Sequence, residues 1–205
     1  KSVLYCLLAH QDDEVGIFSI IEKYKREGRK VVILYLTSGT FSGEVSKKRN
    51  QESLRVLEAF KVSREDCIFI GAEYKIPDGK LYLNLKKAFF AVKDVIYKRG
   101  DVVKFFFPAW EGGHHDHDAS HLVGVSLCYY YNCSKESFQF PLYNAYNVPK
   151  PFFRMFKTLA QNGPTKEYYI SWGARIRYLR HCLSYPSQAK TWIGLFPFVF
   201  FDYLF

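Results

Sequence analysis

Four short apolar runs punctuate the chain: Val3–Ala9 (VLYCLLA), Val31–Leu36 (VVILYL), Cys67–Ile70 (CIFI) and Val102–Phe107 (VVKFFF). Each is nearly continuous and not alternating, which is the pattern of strands covered on both faces, as in a parallel sheet. Helical periods lie between them. Glu14–Glu27 carries Ile17, Ile20, Ile21 and Tyr24 and ends at Gly28. Val45–Phe60 carries Leu54, Leu57 and Phe60, and Asn84–Lys98 carries Leu85, Ala88, Phe89, Val92, Val95 and Ile96 before Gly100. Asp118–Tyr131 follows the fourth run. This alternation predicts an α/β fold: a doubly wound, Rossmann-like, mostly parallel sheet with helices on both faces. After Ser134 the pattern weakens among prolines, with Thr165–Leu183 able to hold a helix. Residues 1–205 are therefore read as one domain, with a core at 1–134 and an aromatic, basic extension at 135–205.

Composition narrows the class. Of 205 residues, 48% are hydrophobic and 24% charged, with 13 Gly and 8 Pro, which excludes collagen-like and disordered chains. The five cysteines are odd in number and form no CxxC pair, so a secreted disulfide framework is not expected. Reduced thiols in a cytoplasmic protein are the expectation. Residues 1–9 read as a strand and not as a signal peptide. No apolar segment reaches the ~20 residues of a membrane helix. The nearest, Trp192–Phe201, is interrupted by Pro197. A start without Met and an apolar end at Phe205 read as a piece trimmed from something longer.

Charge is uneven. Residues 1–141 hold 21 basic and 18 acidic side chains, whereas residues 142–205 hold 8 basic and 2 acidic, a net of +6. Such a tail suggests an anionic partner: nucleic acid, an acidic membrane surface or a phosphorylated substrate.

In open α/β sheets ligands bind beyond the carboxyl ends of strands, and two such loops are crowded with ligand-type residues. Ala9–Glu14 (AHQDDE) sets one histidine beside three acids. Neighbouring residues in a turning backbone point in different directions, so one of Asp12 and Asp13 can face a metal while the other faces a water. The competing reading is an acidic cap on the following helix. Glu111–His121 (EGGHHDHDASH) holds four of the six histidines. His114, His117 and His121 have the i, i+3, i+7 spacing of one helix face, and three N/O ligands with an open position form the catalytic zinc pattern. The competing reading is a solvated helix start capped by Asp116 or Asp118. Convergence of both loops on one crevice suits zinc, iron(II) or a similar divalent metal.

AHQDDE, Arg49-Asn50-Gln51-Glu52 and GGHHDHD together resemble the PIG-L/LmbE-like family of metal-dependent de-N-acetylases, over most of residues 3–125. The resemblance implies hydrolysis of the N-acetyl group of an N-acetylated amino sugar or sugar conjugate. It implies His10, Asp13 and His117 as metal ligands and Asp12 as general base on a metal-bound water. It also implies His114 as an imidazolium that assists the oxyanion or the leaving amine. Gln11 and His115 stand where the family usually has proline. His115 and His121 are alternative ligands, and Asp116 is a candidate to orient a histidine.

Arg49 is read either as a surface i, i+3 partner of Glu52 or, from the resemblance, as a contact to substrate hydroxyl or phosphate groups. Asp78, in Pro77-Asp78-Gly79, is first a turn residue and second a substrate contact. Tyr143 is either a donor to the oxyanion or a packed aromatic. Thr37–Gly39 and Tyr185–Gln188 are candidate crevice segments. A two-metal phosphoesterase and a non-catalytic module binding an anionic ligand are the alternative functions. With a deacetylase site in view, nucleic acid is not expected as a partner. Lys150, Arg154, Arg175, Arg177 and Arg180 then face an anionic sugar conjugate, an acidic membrane or solvent.

Overall fold

The structure is a computed structural model that describes residues 2–40, 43–149 and 152–204. Its centre is a parallel sheet in the order β3-β2-β1-β4-β5. The strands are β1 (Val3–Leu8), β2 (Val31–Tyr35), β3 (Cys67–Ile68), β4 (Val103–Pro108) and β5 (Phe138–Phe140). Every residue of β1 and β2 is buried, which is why their sequences are continuous apolar runs.

Helices cover both faces. On one side α1 (Phe18–Arg26) and α2 (Gly43–Ala59) pack Phe18, Ile21, Val56 and Leu57 into a core that includes Leu4, Cys6 and Ile33. On the other, α3 (Ile70–Glu73), α4 (Leu85–Arg99) and α5 (His115–Tyr130) bury Ile70, Ala88, Val92, Val123 and Leu127 against Tyr5, Leu7 and Phe105. The expected fold class is therefore the observed one. All five cysteines are buried and unpaired.

The second half departs from the expectation. The sheet takes β5 from beyond residue 134, pairing Phe106 with Phe138 and Pro108 with Phe140. Three residues ahead of a proline are too few to show a period. A small antiparallel pair follows, β6 (Tyr143–Asn144) with β7 (Arg154–Met155). Then come α6 (Trp172–Cys182) and α7 (Ala189–Leu204), which complete the first core with Tyr178, Leu179, Trp192 and Val199. Ser171 caps α6 by accepting the Ala174 N–H at 3.4 Å. Pro197 does not break α7. The carbonyl it leaves unpaired belongs to Ile193, which lies at the surface, where water can satisfy it. The boundary expected at residue 134 thus does not separate the sheet from the rest. Among the described residues no helix is long and apolar enough to cross a membrane.

Candidate functional site

The chain leaves β1 for β2 on one side and reaches β4 on the other, so the β1/β4 edge is the point where strand order reverses. The loops after these two strands, 9–14 and 109–114, open side by side at this crevice.

In the first loop the His10 N–H donates to Asp13 Oδ2 at 2.8 Å, and Asp13 opens a 3₁₀ turn, Asp13–Ile17. The turn holds Asp13 between two imidazoles. Its Oδ1 lies 3.1 Å from His117 Nε2, and its Oδ2 lies 3.7 Å from His10 Nδ1. Asp12 has φ 121°, a conformation that side chains resist and that local bonding must hold. Two contacts hold it: the Asp12 N–H donates to Glu14 Oε2 at 2.9 Å, and Asp12 Oδ1 lies 3.4 Å from Arg49 Nη2.

In the second loop His114 caps α5, its Nδ1 accepting the Asp116 N–H at 3.2 Å. This cap starts the helix three residues before the expected Asp118. Gly113 is needed here because a Cβ would meet the Tyr143 carbonyl at 2.3 Å. The imidazole nitrogens of His10, His114 and His117 come within 4.8 Å of one another. His121 does not join them. One turn further along α5, its Nδ1 faces the Pro108 carbonyl at 3.2 Å, and its ring packs on Phe107 and Trp110. His115 is exposed and stacks on His114 with centroids 4.5 Å apart.

Asp116 is fully buried and joins three segments. It accepts the Gly79 and Leu81 N–H groups at 2.6 and 3.0 Å and lies 3.2 Å from His10 Nε2. It thereby seats the 77–81 turn, whose Asp78 Oδ1 is 3.1 Å from His10 Nε2. Arg49 is buried in α2 and is tied to loop backbone, through Nη2 to the Gln11 carbonyl at 2.9 Å and through Nη1 to the Gly39 carbonyl. It also lies 4.0 Å from Asp78. Gln11 is buried and donates to Asn50 Oδ1 at 2.6 Å. Gly39 has φ +69°, and a Cβ there would meet Gln11 Oε1 at 2.1 Å, so the loop after β2 closes on the one after β1. Tyr143 packs edge-on to His117 with centroids 5.4 Å apart, and its N–H donates to Glu111.

Electrostatics follow from this crowding. Burial raises the Asp12 carboxyl to about 7, with Arg49 pulling down and Asp13 pushing up. Burial opposes charge on His10, but hydrogen bonds to Asp116, Asp13 and Asp78 outweigh it and hold the ring well above the usual value. The His10 contact holds Asp78 at about 2. Burial and the neighbouring His10 and His117 lower His114 to about 4. Since Nδ1 of His114 also accepts a backbone N–H, the ring is neutral with its proton on Nε2. The resting form is thus not the imidazolium expected from the sequence.

Four carboxylates converge on three imidazoles and one guanidinium, an environment that calls for a cation. Among the described residues, His117 Nδ1 is buried with no hydrogen-bond partner. The mixed imidazole and carboxylate set has borderline hardness and fits a divalent metal.

The cluster lines a cavity of about 170 Å³. Its polar wall is His10, Asp12, Asp13, Arg49, Asp78, His114 and His117, with Tyr143 beside them. Its other wall comes from the C-terminal region: Leu142, Met155, Phe156, Gln188, Thr191, Trp192 and Leu195. Of the segments proposed from sequence, Tyr185–Gln188 reaches the cavity through Gln188, and Thr37–Gly39 acts by bonding Arg49. Three buried carboxylates escaped the sequence reading as supports. Glu14 accepts the Tyr185 hydroxyl at 2.8 Å, Glu52 accepts the Ser187 N–H at 3.1 Å, and Glu111 accepts the Leu142 and Tyr143 N–H groups at 2.8 and 3.1 Å. Glu14 and Glu52 sit among polar neighbours and Glu111 opens a Gly/His-rich loop, so nothing local marked them as buried supports. In the basic extension, Arg177 pairs with Glu22 at 2.7 Å and Arg175 Nε donates to the Ile170 carbonyl at 3.0 Å, whereas Arg154 and Arg180 are exposed. Lys150 lies outside the described residues.

Fold and cluster together define an α/β domain with a candidate divalent-metal centre at its switch point. The family model described as PIG-L, GlcNAc-PI de-N-acetylase, matches residues 5–128, and the chain belongs to that family. Among solved structures it is similar to N,N'-diacetylchitobiose deacetylase from Pyrococcus horikoshii, at 17% identity and TM-score 0.62, over 97% of this chain and 75% of that one. It is also similar to a deacetylase of teicoplanin biosynthesis, at 14% identity and TM-score 0.67, over 94% and 87%. A zinc-inhibited form of teicoplanin deacetylase Orf2 aligns at 12% identity and TM-score 0.65, over 91% and 85%. At these identities the likeness establishes the shared fold. No curated protein matches the chain.

Proposed function

We propose that the protein is a metal-dependent N-deacetylase that removes the acetyl group from an N-acetylated amino sugar or sugar conjugate. The observation that carries this reading is the convergence of the two loops. It brings Asp12 and Asp13 beside the imidazoles of His10, His114 and His117, a grouping that supports His10, Asp13 and His117 as the ligands. Family membership and the chitobiose and teicoplanin deacetylases among the similar structures support the same reaction class.

His10, Asp13 and His117 would hold the metal, with zinc or iron(II) the best match to the donors. When bound, it supplies Lewis acidity toward the amide carbonyl and lowers the pKa of water.

The chain's own groups do the rest. Burial raises the Asp12 carboxyl toward neutrality, which suits it to take a proton from water and hand it to the departing amine. His114 keeps its proton on Nε2 and donates a hydrogen bond toward the oxyanion without ring charge. Arg49 restrains Asp12 and the loops around it. Asp78, at the cavity edge and 32% exposed, is the acid available to sugar hydroxyls. The apolar wall of Leu142, Met155, Trp192 and Leu195 excludes water from the opposite side.

The test is acetate release over a panel of N-acetylated sugars, with and without chelator. Chelator-sensitive release is expected. Turnover of phosphodiesters without acetate release would instead favour the phosphoesterase alternative.

A further inference from the structure

Helix α7 is apolar on two opposite faces. Its inner face lends Trp192 and Leu195 to the cavity wall and buries Val199. Its outer face presents Ile193 at 78% exposure, Phe200 at 40% and Phe201 at 60%. At about 100° per residue these three share one side of the helix. A track of rings joins the cavity to the surface beside α7. Tyr143 lies 5.4 Å from His117 and 6.0 Å from Phe153, while Phe198 lies 6.2 Å from Phe153 and 6.3 Å from Phe152. Phe152 and Phe153 are themselves exposed. Single exposed apolar residues need no explanation, but three large ones on one helix face do.

We propose that the outer face of α7, with Phe152 and Phe153, is a docking surface for a lipid bilayer bearing anionic headgroups. Aromatic rings on a helix that lies flat suit the headgroup boundary. In this mode the outer face of α7 lies along the headgroup boundary, with its axis parallel to the bilayer surface. Charge selects this occupant. Exposed Lys190 lies one turn before Ile193 on α7 and exposed Arg154 follows Phe153, while residues 142–205 carry 8 basic against 2 acidic side chains. A basic rim around an apolar centre matches an anionic membrane, whereas in a second copy of the chain the same charges would meet each other. Docked this way, the cavity wall lies about one helix diameter, ~10 Å, from the bilayer.

The test is co-sedimentation of the full chain with phosphatidylcholine vesicles, with and without phosphatidylserine. Binding is read without turnover, so its failure is separable from failure of the deacetylase reading. The wild type is expected to bind the phosphatidylserine vesicles and to dissociate as salt rises. The variant Ile193→Ser/Phe200→Ser/Phe201→Ser should lose about tenfold or more in partitioning, and Arg154→Glu/Lys190→Glu should lose binding to the anionic vesicles. Phe152→Ser, a single change at an exposed loop position, gives the same direction should the triple variant fail to fold. No vesicle binding by the wild type overturns the proposal. Binding that is unchanged in the folded variants overturns it too, as does a wild-type dimer that the Phe200 and Phe201 changes dissolve.

Discussion

The Tyr185 hydroxyl donates to Glu14 Oε1 at 2.8 Å, across 171 residues of sequence, while Oε2 of the same carboxylate accepts the Asp12 N–H at 2.9 Å. The segment before α7 therefore braces the residue with the most strained backbone in the site. Tyr185→Phe should destabilise the fold by about 1–3 kcal/mol, since it leaves a buried carboxylate oxygen unpaired. Turnover should fall while metal content stays near the wild-type value. Denaturant unfolding and metal analysis on one preparation check both halves.

Asp12 and His10 should separate chemistry from binding. Asp12→Asn is expected to retain metal and lose roughly 10²–10⁴ in turnover, the usual worth of a positioned base. His10→Ala should lose the metal itself. Full activity in Asp12→Asn would refute the role assigned to this carboxyl.

The two histidines of α5 give a matched contrast. His117 faces Asp13, and His117→Ala should abolish metal retention. His121 faces the Pro108 carbonyl, so His121→Ala should keep metal and turnover and cost about 0.5–1.5 kcal/mol of stability for the lost hydrogen bond. Metal-to-protein ratios after dialysis distinguish them.

Glu22 links α1 to α6. Burial would raise its carboxyl, but hydrogen bonds from Tyr178 and Arg177 outweigh that and lower it. A lowered folded value means that the contribution is present above the unfolded carboxylate pKa, ~4.3, and is lost as pH falls through the folded value. Glu22→Gln should remove up to about 1 kcal/mol at neutral pH and flatten the acid limb of the stability profile. Thermal melts from pH 7 down to the acid limit read this directly. A variant whose acid limb matches the wild type would show that the pair contributes nothing.

Much of the first 130 residues was legible in the pattern alone. β1 and β2 are buried on both faces, and β4 is buried at all but Lys104, so they show as unbroken or nearly unbroken apolar runs. The two loops that bring His10, Asp12, Asp13, His114 and His117 together stood out because each follows a strand end and is dense in His and Asp. His121 shares the helix face of His114 and His117 but lies ~6 Å beyond His117 along the axis, where the Pro108 carbonyl takes its Nδ1. β5 and β6 were invisible for a different cause: two or three residues between prolines carry no period.

The sequence by itself determined the fold class and set two His- and Asp-rich loops at strand ends, since alternating apolar runs and local loop composition encode both. Only the tertiary structure decided how His114 is held, with Nδ1 taken by a backbone N–H and its pKa lowered by burial and two neighbouring rings. It also decided that the basic, aromatic tail is half of the cavity. That role depends on Glu14, Glu52 and Glu111 reaching across the fold to Tyr185, Ser187 and Leu142. Bonds over such distances leave no periodic trace in the chain, because each partner is chosen by position in space and not by its neighbours in sequence.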